Sequence, residues 1–160
     1  MAVEQKYRDI VRNATMAAGA IGVPGAFSFG ADVAAMTGIW ATMIVSISQK
    51  SGHKVDKVFA TKLASGVLAG VGAYVGGSKI AMKLLHLIPG FGSLAAIGVN
   101  STLNALFTYK LGHAISNLFN KGSFDTSDIT NTVTILLTLV VGLPTFDELS
   151  DLISMIGVTA

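Results

Sequence analysis

Apolar residues in this chain fall into long runs separated by isolated charges, with none of the strict alternation that marks a half-buried strand. Residues 13–31, 33–49, 63–78, 84–109 and 129–146 contain no Asp, Glu, Lys or Arg. Runs of this length predict helices over residues 3–21, 31–50, 55–87, 93–119 and 128–143, with a short amphipathic helix over 144–157. Pro24 and Gly25 end the first helix, Ser51-Gly52 the second and Lys121-Gly122 the fourth. Proline removes a backbone donor and glycine loosens the chain, so each pair is helix punctuation. The third helix is expected to bend at Gly76-Gly77 and to stop at Ile88-Pro89-Gly90-Phe91-Gly92. Asp32 is placed to cap the second helix and Thr126 or Ser127 the fifth, while Pro144 suits the first turn of the last. The Thr- and Val-rich stretch 132–141 has strand-like composition, but no partner strand is evident, so it is read as helix.

The predicted fold is therefore all-α: a compact bundle of about five or six helices with two Pro-Gly breaks, forming a single domain over residues 1–160. Residues 126–157 are a C-terminal helical extension. Spanning a bilayer takes about 20 apolar residues, with about 17 as the lower limit. Only the run 84–109 is comfortably longer, and Pro89 and Gly90 interrupt it near its start. Short, tilted, re-entrant or interfacial helices fit these lengths better than simple spans.

Composition sharpens the picture. The chain is 51% hydrophobic and 12% charged, against roughly 25% charged residues in an ordinary soluble domain. Nine acidic and eleven basic residues cover little of a monomer this size, so part of its surface is expected to face lipid, another subunit or both. A net charge of +2 with singly scattered basic residues excludes nucleic acid as a partner. The chain has no cysteine, hence no disulfide framework and no thiolate metal site. The polar start, residues 1–12, does not read as a removable signal peptide.

Three constellations carry the candidate sites. Gly66 and Gly70, then Gly72 and Gly76, have the small-x-x-x-small spacing that lets helices approach closely. Asn100, Asn104 and Thr108 lie one turn apart and draw a polar stripe through an apolar helix. Such a stripe serves either hydrogen bonds between helices or the lining of an oligomeric pore. Asn131, Thr134 and Thr138 repeat the pattern on the fifth helix, where threonines can bond back to their own helix. Asp32 reads as a cap before it reads as an intramembrane carboxylate. His53, His86 and His113 are too far apart to form a metal site, with His53 in a solvated loop and the others near helix ends. No Ser, His and acid grouping has the context of a hydrolase. Catalytic, cofactor-binding and metal-binding residues are all expected to be absent. Lys50, Lys54, Lys57 and Lys62, with Lys6, Arg8 and Arg12, would place the N-terminus and the second loop on the cytoplasmic side.

The two breaks, Val23-Pro24-Gly25-Ala26-Phe27 and Ile88-Pro89-Gly90-Phe91-Gly92, have the look of a degenerate two-fold repeat. Together with Gly30-Ala31-Asp32, Met43-Ile44, Gly52 and Tyr109-Lys110-Leu111-Gly112 they make residues 21–122 resemble the family called domain of unknown function 697. That family includes bacterial inner-membrane proteins of the YcjF type and occurs attached to GTPase domains. The resemblance implies a stand-alone membrane-associated helical module in the bacterial inner membrane. Any GTPase partner would be on another chain, because no Gly-x-x-x-x-Gly-Lys-Ser/Thr phosphate loop is present. Three readings of function follow. One is an integral, homo-oligomeric membrane assembly, extending to an ion-conducting pore. The second is a non-enzymatic interaction module that docks a GTPase or another partner at the lipid bilayer. The third is a soluble oligomer with its apolar faces between subunits.

Overall fold

The computed structural model describes residues 3–21, 33–76 and 99–157, and of residues 75–76 and 99–102 the backbone alone. Its helices are α1 (Gln5–Ile21), α2 (Val33–Lys50), α3 (Lys57–Gly76), α4 (Val99–Asn120), α5 (Ile129–Val141) and α6 (Phe146–Ile156). There is no strand among the described residues, so the all-α expectation holds and the Thr/Val-rich stretch is helical.

Helix α4 is the axis of the bundle. Every residue from Leu103 to Ser116 is buried, so the polar side chains of this helix, Asn104, Thr108, Lys110, His113 and Ser116, are enclosed with its apolar ones. α1 runs antiparallel to it. The Tyr7 hydroxyl donates to Asn120 Oδ1 at 2.9 Å, and Val11 packs on Gly112, where an added Cβ would lie 2.8 Å from both Val11 methyls and 3.0 Å from Met43 Sδ. α2 runs parallel to α4, with Trp40 Nε1 donating to Thr108 Oγ1 at 2.8 Å. The α2–α3 turn brings His53 against Phe119, their ring centroids 5.2 Å apart. At this turn Gly52 has φ +83°, a conformation that costs glycine nothing and most other residues about 1 kcal/mol or more. α3 then returns antiparallel to α2, and α5 lies parallel to α3. Phe119 and Phe124 stack at 4.2 Å between ring centroids where the chain turns from α4 toward α5.

Charge is unevenly spread along these helices. The described lengths 13–21 of α1, 33–49 of α2, 63–76 of α3 and 99–109 of α4 carry none. The charged residues of α1, α3 and α4, and Lys50 of α2, lie toward the end of the bundle at the α2–α3 turn.

The caps correct the sequence reading in two places. Asp128, rather than Thr126 or Ser127, caps α5, its carboxylate accepting from Asn131 N at 3.0 Å. The Ser127 hydroxyl instead donates to Asp125 Oδ1 at 2.6 Å. α6 begins at Phe146 rather than Pro144, because Thr145 and Glu148 form a capping box, which satisfies two backbone donors reciprocally. The break regions at Pro24, Gly25, Pro89 and Gly90, and the cap assigned to Asp32, lie outside the described residues.

Candidate functional site

The glycine pair Gly66 and Gly70 seats α5 on α3. A Cβ on Gly66 would lie 2.9 Å from a Val133 methyl, and one on Gly70 2.6 Å from Leu137 Cδ2. Gly72 is half-buried on the same helix, and no side-chain environment is described for Gly76. The spacing thus brings two of the four glycines to one helix crossing.

The polar stripe of α4 points into the interior of a single copy. Asn104 is 4% exposed and Thr108 fully buried, the Thr108 hydroxyl accepting the indole hydrogen bond from Trp40. Asn104 Oδ1 and Thr15 Oγ1 are buried without a hydrogen-bond partner among the described residues. Asn100 falls where only the backbone is described. The α5 stripe faces outward, and its hydroxyls are turned inward on the helix. Thr134 donates to Thr130 O at 3.0 Å and Thr138 to Thr134 O at 2.9 Å. Asn131 is exposed beside them.

Two features had weaker sequence signals. The first is a polar clasp between α6, α4 and the start of the chain. Asp151, 8% exposed, accepts from Val3 N at 3.1 Å and from the Tyr109 hydroxyl at 2.7 Å, and pairs with the Arg8 guanidinium. Burial acts to raise the Asp151 pKa, but the hydrogen bonds from Tyr109, Arg8 and Val3 outweigh it and hold the carboxyl below its ordinary range. Burial and the adjacent Asp151 push the Tyr109 phenol far up, so it stays a donor. One turn away, Glu148 lies 3.6 Å from His113 Nδ1 and accepts from Thr145 N at 2.8 Å. Burial pulls its pKa up; His113, Thr145 and the Lys110 charge overcome this and hold it at about 2. Lys110, 4% exposed, donates to the Gly142 carbonyl at the end of α5, and burial lowers its pKa. His113, expected near a helix end, is instead enclosed well inside α4, and its Nε2 has no partner among the described residues.

The second feature is a corner. α5 and α6 meet at 87° across Leu143 and Pro144. Ile135, Leu139, Leu143 and Phe146 are exposed along it, Leu143 at 67% and Phe146 at 72%. With Thr130, Thr134 and Thr138 between them, the outer face of α5 bears no charge over its whole length. A surface helix of a soluble bundle ordinarily carries charged residues there. No single described helix is long and apolar enough to cross a membrane; α5 and α6 together reach that length and composition only as a pair bent at 87°. The described residues contain no group of His, Asp and Glu that could hold a metal ion.

No family model, curated protein or solved structure matches this chain. Its function is therefore argued from the residues and their arrangement.

Proposed function

We propose that this protein is a non-enzymatic helical module that associates with a lipid bilayer through the α5–α6 corner. The observation that carries this reading is the run of exposed apolar side chains Ile135 and Leu139 on α5, Leu143 in the corner and Phe146 at the start of α6, beside an outer face of α5 that carries no charge. Because the Thr134 and Thr138 hydroxyls already donate within the helix, the polar cost of moving this face to lipid is reduced, and the apolar side chains together contribute about 5 kcal/mol at ordinary burial energies. The bend at Pro144 suits a corner lying at the interface more than a continuous span. The interior position of Asn104 and Thr108 favours a packing role, in which Thr108 supports Trp40, over a pore lining, so conduction is not part of this reading.

Flotation with vesicles tests it. The chain should float with phospholipid vesicles and be released by alkaline carbonate, and the double variant Leu143→Glu, Phe146→Glu should stay at the bottom of the gradient while keeping its helical circular dichroism. Retention after carbonate would favour an integral assembly. Failure of the unmodified chain to float would remove the membrane reading.

A further inference from the structure

Beside the apolar residues of the corner the structure holds a pocket of about 190 Å³ that the membrane reading leaves unused. One wall is a single face of α4, where Lys110, His113 and Asn117 recur at intervals of three and four residues and share one side of the helix, with Lys121 in the turn just beyond it. The opposite wall is Leu139 of α5 and Glu148 of α6.

The chemistry of this pocket is that of an anion site with an apolar edge. Its lining holds two lysines and one carboxylate; the Lys110 ammonium donates to the Gly142 carbonyl, and the carboxylate is already engaged by the Thr145 N–H and by His113. Lys121 is exposed and makes no ion pair among the described residues. Asn117, half-buried, adds an amide at the wall. His113 is 7% exposed with Nδ1 turned toward Glu148, and its unpartnered Nε2 is on the other side of the ring. The ring therefore serves as a neighbour of the pocket rather than as a donor to an anion, and the donors are left to the lysines and the amide. A phosphate monoanion or diester supplies what the set lacks: a single negative charge and several acceptor oxygens for ammonium and amide donors.

Leu139 decides which phosphate. It lines the pocket and also lies on the exposed apolar face that runs through Ile135 and Leu143, so the anion site opens onto the surface assigned to lipid. We propose that the pocket seats the phosphate of a phospholipid head group, with the acyl chains of that lipid laid along the outer face of α5. This rests on the membrane reading above and adds to it a defined site for one lipid, with Lys121 and Asn117 as its accessible donors and Lys110 as the buried charge behind them.

The test uses dihexanoyl-phosphatidylglycerol below its micelle concentration, so that head-group binding is read apart from bilayer partitioning, with inorganic phosphate as the second probe. In the full chain, titration should give saturable shifts of the Asn117 side-chain amide and of the His113 ring in NMR spectra. Lys121→Ala and Asn117→Ala, both at positions open enough to leave the fold intact, should each weaken that binding by about tenfold, the loss of one charge-assisted hydrogen bond. Both variants should still float with vesicles of phosphatidylcholine. Inorganic phosphate should shift the same resonances at far higher concentration, because it lacks the apolar contact with Leu139. Two results would overturn the site: shifts that do not saturate, or saturating shifts that Lys121→Ala leaves unchanged. Inorganic phosphate binding as tightly as the lipid would overturn the head-group assignment. If dihexanoyl-phosphatidylglycerol binds at the pocket but the chain never floats, the site stands and the bilayer reading falls; flotation without saturable pocket shifts is the reverse.

Discussion

Helices α1 and α5 both pack on the central helix α4, yet they meet their surroundings in opposite ways. α1 presents Lys6, Asp9 and Arg12 outward and is held by specific fits: Val11 on Gly112, Tyr7 on Asn120, Arg8 on Asp151. α5 presents only Thr, Asn, Ile and Leu outward, and is held from behind by the notches at Gly66 and Gly70 and, at its end, by Lys110. The same bundle thus carries charges on the outer face of the first half of α1 and none on the outer face of α5, although both helices bury their inner faces on α4.

The comparison can be broken most severely on the α1 side. Gly112→Val adds a branched side chain where even one carbon meets both Val11 methyls and Met43, and overpacking of this kind costs about 3 kcal/mol; urea denaturation should show it as a lower midpoint. Asp151→Asn comes next. It leaves Arg8 without its counter-charge at a largely buried site, and loss of one partner there costs about 2–3 kcal/mol, measurable in the same experiment together with weakened protection of the Val3 amide. Acid sharpens the point. Asp151 and Glu148 both have folded pKa values below their unfolded ones. Their stabilisation is therefore fully present above the unfolded carboxyl range, near pH 4, and is lost as pH falls through the folded values, for Glu148 about 2. Unfolding midpoints across that window should fall for the native chain and fall less for Asp151→Asn.

Smaller effects belong to α4 and α5. Thr108→Val leaves the Trp40 indole N–H buried without an acceptor, a loss of about 1–2 kcal/mol. Because Trp40 is the chain's one tryptophan, its emission should shift directly. Thr134→Val and Thr138→Val should change stability by less than about 0.5 kcal/mol, since each hydroxyl bonds only to its own helix, and should leave vesicle flotation intact. A large loss of stability in either would mean that these hydroxyls bond beyond their own helix.

Much of this arrangement was legible in the sequence. Charge-free runs marked the helices, and the small-residue spacing singled out Gly66 and Gly70, because close approach leaves a periodic trace in one segment. The stripe through Asn104 and Thr108 was visible too, but its direction was not: whether a polar residue in an apolar helix faces a neighbour or an axis depends on what packs there, and Trp40 is 68 residues away from Thr108. The clasp at Asp151 joins residues as far as 148 positions apart, beyond any local pattern. Gly112 appeared only as the end of a motif, since the need for its missing side chain is set by Val11 and Met43 on two other helices.

The most direct test places a polarity-sensitive fluorophore on a single cysteine at each side of the comparison, which the cysteine-free chain allows. Leu139→Cys puts the probe on the outer face of α5, and Asp9→Cys puts it on the outer face of α1. On adding phospholipid vesicles, the label at position 139 should shift to the blue and brighten while that at position 9 stays unchanged. An unchanged signal at 139, or an equal shift at both positions, would contradict the assignment of the α5–α6 corner to lipid.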